Sequence, residues 1–125
     1  MKLIIKNSDR IGAISSGLCM LHCLATPFLF LSQSSLIFIS VDFTLTWFLL
    51  NYIFLLISFI AVYYSVKNSA NIFIRIFLYL FWALLSVLII NESLEIFSIP
   101  EAATYFSASS LICLHIYNLR YCRCD

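Results

Sequence analysis

The chain has 125 residues and a formal net charge of +1. Apolar residues make up 63% of it and charged residues only 10%, with a mean hydropathy of +1.04, against roughly 25% charged residues in a soluble globular chain. These values leave room for one domain spanning residues 1–125, and they exclude a water-covered surface, a basic field for nucleic acid and an acidic tail; lipid is the expected solvent for most side chains.

The opening MKLIIKNSDR is basic and precedes an apolar stretch. No small-x-small cleavage site follows, and the stretch is too long for the apolar region of a signal peptide. Ahead of Cys19, Ser16-Gly17-Leu18 puts a bulky Leu where a lipoprotein signal carries a small residue. The first segment is therefore expected to be a permanent helix over about 11–31. A helix needs about 20 apolar residues to cross about 30 Å of hydrocarbon, and the charges bracket three further stretches of this kind. They predict helices over about 43–66, 72–90 and 100–119. Arg75 is expected to snorkel to the headgroups, Pro100 to sit in the first turn of the fourth helix and Glu101 to complement its dipole. Short connections favour antiparallel neighbours, so the expected fold is all-α: four transmembrane helices in an up-down bundle. All seven Lys and Arg residues fall on one side of this plan, and the outward loops carry Asp42, Glu92, Glu95 and Glu101. By the positive-inside rule both termini are expected in the cytoplasm.

The first helix contains Cys19-Met20-Leu21-His22-Cys23. Residues three and four apart share a helix face, so Cys19, His22 and Cys23 are expected to project together as a soft-metal ligand set. Cys19 lies about 13 Å and His22 about 18 Å beyond Arg10, at about 1.5 Å per residue, a depth at which ionisable groups usually mark function. A lone membrane Cys is otherwise an ordinary small hydrophobe; the His between the two thiols argues for more. Pro27 removes a backbone hydrogen bond and is expected to open the helix at Cys23. Gly12, Ser15 and Ser16 are small enough to admit another helix closely. Near the C-terminus His115, Asn118 and Cys122 share a face, and Cys122-Arg123-Cys124 lies at the membrane exit. The neighbouring arginines favour thiolate there, and the reducing cytosol disfavours a disulfide. Asp9 reads as a helix cap or as a group that polarises ligands, and Asn118 as a packing hydrogen bond or in the same polarising role.

At these residues the chain resembles the MerC family of mercury-resistance membrane proteins. The likeness is carried by DRIGAISSGLCMLHCLATPFL at one end and LHIYNLRYCRC at the other; the middle helices match in hydropathy alone. The resemblance implies a bacterial inner-membrane carrier that brings mercuric ion to the cytoplasm, with Cys19 and Cys23 as metal ligands, Cys122 and Cys124 as a further pair, and a cytosolic mercuric reductase or thiol acceptor as partner. The first pair here is C-x3-C with His22 inserted and the second is C-x-C, whereas the resistance-type pattern has a closer first pair and a wider second one. A His among thiols extends the choice towards zinc.

The sequence reading is thus a metal-ion transporter and not an enzyme. Cys19 and Cys23 are its primary ligands and His22 an auxiliary one; Cys122 and Cys124 are cytoplasmic acceptors, with His115 a further candidate. No cofactor is expected, the ion being cargo. A transporter or sensor of another metal such as zinc, or a structural subunit of a membrane complex, is the alternative. A quinone-coupled thiol oxidoreductase would need Cys pairs in the outward loops, which have none. A haem-b protein would need His22 and His115 level with one another, and the depth count sets them about 10 Å apart.

Overall fold

The computed structural model describes residues 2–33 and 41–122. The helices are α1 (Lys2–Gln33), α2 (Val41–Asn68), α3 (Ile72–Leu94) and α4 (Ala102–Tyr117), and a π-helical turn, Asn118–Cys122, continues α4. The order and number agree with the sequence reading; the ends do not. Helix α1 starts at Lys2 rather than at 11, because backbone hydrogen bonding runs on through polar residues and because Ser8 and Asp9 are buried against other helices. Helix α3 runs past 90 through Asn91 and Glu92. Helix α4 begins at Ala102, after Pro100 and Glu101, whose carbonyls accept the N–H groups of Ala103 and Thr104 at 3.0 Å each.

The turns between helices are closed by side chains. Asn71 caps α3: its Oδ1 accepts the Phe73 N–H at 2.9 Å. The Arg75 guanidinium donates to the Ser69 carbonyl, with Nε at 2.9 Å, and so supplies a partner for a carbonyl at the end of α2. Beyond α3, Glu95 takes a left-handed conformation (φ 51°, ψ 37°). The Asn91 amide holds the turn there, donating to the Phe97 carbonyl and accepting its N–H, both at 2.9 Å. Replacing Asn71 with Ala removes one cap and should cost about 1 kcal/mol, read as a lower midpoint of thermal unfolding in detergent; an unchanged midpoint would show that the α2–α3 turn stands without it.

Helix α1 packs chiefly on α2 and α4, and α3 on the same two helices, so the four form a ring with α1 and α3 on its diagonal. Contacts fix the directions. His22 meets Trp47 while Asp9 lies near Ser65, so α1 and α2 are antiparallel. Cys23 meets Tyr105 while Asp9 meets His115, so α1 and α4 are antiparallel as well. The apolar part of the core is Val62 with Ile74, Leu78, Leu85, Ile89 and Leu111. The spacing of four, seven and four along α3 gives one inward stripe.

The distribution of polarity is reversed relative to a water-soluble bundle. Large apolar side chains such as Ile14, Phe28, Phe73 and Val87 point outward, while Asp9, Ser16, Asn51, Ser65, His115 and Asn118 are buried. Among the described residues three helical segments, Asn7–Leu29, Leu45–Asn68 and Ile72–Leu94, are long and apolar enough to cross a membrane. Helix α4 has 16 residues and gains five from the π-turn.

Candidate metal-binding site

The buried face of α1 reads Asp9, Gly12, Ser15/Ser16, Cys19 and His22/Cys23, a three-and-four spacing that keeps one stripe towards α2 and α4. On it Cys19 and Cys23 are almost wholly buried. Their thiols are free and lie one helical turn apart on the same face. Around them pack Leu55, Val62, Ala108 and Leu111 of the core. Two adjacent thiols walled by apolar groups form a two-sulfur site, which suits a soft ion that binds two thiolates in line.

His22 does not complete this pair as a third ligand in the observed geometry. Its ring stacks on Trp47 of α2, with centroids 4.1 Å apart and planes 24° apart, and meets Phe54 edge-on at 6.0 Å. Asn51 faces the same ring, yet neither ring nitrogen is held by a hydrogen bond of good geometry. Among the described residues no three His, Cys, Asp or Glu side chains come together as a metal cluster.

Pro27 lies inside α1 without breaking it. The Cys23 carbonyl, which loses its helical N–H partner to Pro27, is met instead by the Tyr105 hydroxyl at 3.4 Å. That hydroxyl also reaches Glu101 Oε2 at 3.0 Å. Tyr105 therefore ties the thiol helix to the acidic end of α3 and α4. At that end a cavity of about 370 Å³ is lined by Asn91, Glu92, Glu95, Glu101 and Thr104. The carboxylates favour cations at this end of the bundle.

His115 lies at the opposite end of the bundle. It is fully buried, with Nδ1 3.2 Å from Asp9 Oδ1 and 3.5 Å from Ser65 Oγ. Asn118 Nδ2 donates to the same Asp9 oxygen at 2.9 Å. The ring rests on Gly12: a Cβ there would stand 2.3 to 2.6 Å from three imidazole atoms. The close approach expected at Gly12 is thus made by a side chain of α4. Asp9 is well inside α1 and not its cap. His22 and His115 belong to different levels of the bundle, thirteen α1 residues or about 20 Å apart, which is incompatible with two axial ligands on one haem. Cys122 ends the π-turn. Its side chain, and Cys124 altogether, lie outside the described residues.

Sequence reasoning missed Trp47, Asn51, Ser65 and Tyr105. One signal was present. Asn51, Ser58 and Ser65 repeat every seven residues along an otherwise apolar α2, and all three are buried.

A family model described as MerC mercury resistance protein matches residues 9–120. No curated protein and no solved structure matches the chain.

Proposed function

Because the chain belongs to the MerC family of mercury resistance proteins, a family of membrane transporters of mercuric ion and not of enzymes, we propose that Cys19 and Cys23 capture the ion and pass it to the cytoplasm. The observation that carries this reading is the pair of adjacent buried thiols on α1. On capture two Hg–S bonds form, two S–H bonds break and two protons leave, so the dipositive ion becomes a neutral dithiolate complex. A neutral complex avoids most of the cost of placing a charge in hydrocarbon.

The same reading gives the direction. The Lys and Arg distribution supports both termini and the α2–α3 turn in the cytoplasm of a bacterial inner membrane. Helix α4 with its π-turn then supplies the fourth crossing, and the cavity beside Glu92, Glu95 and Glu101 faces outward, next to Tyr105 and the thiol pair. His22 is an auxiliary ligand that reaches the ion by leaving Trp47. Cys122 and Cys124 receive the ion at the inner surface and hand it to a cytosolic thiol acceptor or mercuric reductase.

The test is uptake of mercuric ion, with zinc in parallel, by cells making the wild-type chain or Cys19→Ser/Cys23→Ser. Mercury uptake above background should be present with the wild type and lost in the double variant, at equal amounts of protein in the membrane. A zinc-only response would change the cargo. Equal mercury uptake by wild type and variant would remove the thiol pair from the mechanism.

A further inference from the structure

The thiol pair is not the only place in the bundle equipped for a cation. Asp9, His115, Asn118 and Ser65 meet about 15 Å from Cys19 along α1, at about 1.5 Å per residue, and all four are wholly buried. Their hydrogen bonds leave an imbalance. His115 Nδ1 faces a carboxylate oxygen at 3.2 Å, so the proton of a neutral ring sits on Nδ1 and Nε2 presents its lone pair. Asn118 spends an N–H on Asp9, which leaves its carbonyl oxygen. Among the described residues Asp9 Oδ2, His115 Nε2 and Asn118 Oδ1 are all buried without a hydrogen-bond partner. With a neutral ring each of the three is an acceptor, and the group carries one formal negative charge.

A network built only to hold helices together satisfies its members, because an unpaired buried polar atom costs about 1–3 kcal/mol. Here the surplus consists entirely of lone pairs, which is the complement of a cation. A single added proton would engage one of the three atoms, on His115; a metal ion can engage several. Imidazole nitrogen and carboxamide oxygen favour a borderline divalent ion over a soft one, and a nearby carboxylate balances its charge. A carboxylate behind the far nitrogen of a His is also the usual support of a metal-binding imidazole.

We propose that His115 Nε2 and Asn118 Oδ1 are the donors of a second cation site at the inner end of the bundle, with Asp9 behind Nδ1 orienting the ring and balancing the charge. This rests on the transport reading above in one respect: it makes the cluster the station between Cys19/Cys23 and the cytoplasm. The hydroxyls of Ser16 on α1 and Ser58 on α2 lie between the two levels, and both are buried without partners among the described residues. A weaker site below a strong one lets an ion enter and still leave.

The probe is zinc, and the sample is the full chain in detergent with all five cysteines replaced by serine. It should bind one zinc ion per chain, and Asp9→Asn and His115→Gln should each weaken binding by at least about tenfold. Asn118→Asp guards against variants that simply fail to fold. As a metal site the cluster gains a second carboxylate, so zinc should bind several times more tightly and raise the thermal midpoint. As a helix clamp it loses the Asn118 N–H that Asp9 accepts, so the midpoint should fall and zinc should not restore it. That second outcome overturns the proposal, as does a cysteine-free chain that binds no zinc or an Asp9→Asn chain that binds it equally well. Failure of mercury capture at the thiol pair would appear in wild-type uptake and leave the zinc measurement standing.

Discussion

Serine in place of Cys19 alone should reduce mercuric-ion uptake to background as completely as the double replacement, and serine in place of Cys23 alone should do the same. The two buried thiols lie one helical turn apart on the same face and no third His, Cys, Asp or Glu clusters with them among the described residues. A soft ion held by two sulfurs in line loses half its ligands with either one, and a hydroxyl at that position is a poor substitute. The single losses should therefore not add: each should be at least about tenfold in initial rate, and the pair no worse than either, as for residues that act as one unit. Initial rates at matched protein levels decide it. If one single variant retains more than half of the wild-type rate, the ion is held by one Cys with a different partner, and His22 is the side chain to examine next.

Alanine at Gly12 should destabilise the bundle by about 1–3 kcal/mol, the usual cost of forcing a methyl into a filled core. The added Cβ would stand 2.3 Å from His115 Cε1 and 2.4 Å from Nε2, and the ring has little room to retreat because it is fully buried between Asp9 and Ser65. Displacing it also breaks the bond to Asp9 and leaves a buried carboxylate short of a donor. Gly17 is the internal control. Nothing lies within 4 Å of a Cβ built there, so Gly17→Ala should be neutral or stabilising by up to about 1 kcal/mol, the helix-propensity difference. Thermal midpoints in detergent separate the two. The collision is confirmed if the Gly12→Ala/His115→Ala double variant is little less stable than His115→Ala alone. Equal midpoints for the two glycine variants would mean that α1 and α4 are further apart than the structure places them.

Much of the site was legible because helical spacing is short-range information. Cys19, His22 and Cys23 fall on one face by counting alone, and burial of the thiols follows from that face being the one that packs. The partner of His22 was not legible. Trp47 is far away in sequence, and only the antiparallel register of α1 on α2 puts its indole under the imidazole. The rescue of the Cys23 carbonyl by Tyr105 was hidden in the same way: Pro27 announces a missing donor, but not which helix replaces it. Helix ends were misplaced where charge was taken as a boundary, as at Arg10, since hydrogen bonding along a backbone does not stop at the edge of the hydrocarbon.

The sequence by itself determined the solvent, the number of helices, the family likeness and the thiol pair, because hydropathy and three-and-four spacing act within one segment. The tertiary structure alone decided how the remaining polar groups are spent. Asp9 reads locally as a cap or a polarising group and His115 as sharing a face with Asn118 and Cys122, yet only the close approach of α1 and α4 over Gly12 joins Asp9 to His115 and Asn118 in one buried group. That approach depends on the absence of one methyl group at Gly12 and on the register of helices distant in sequence, and neither is written in the periodicity of any single helix.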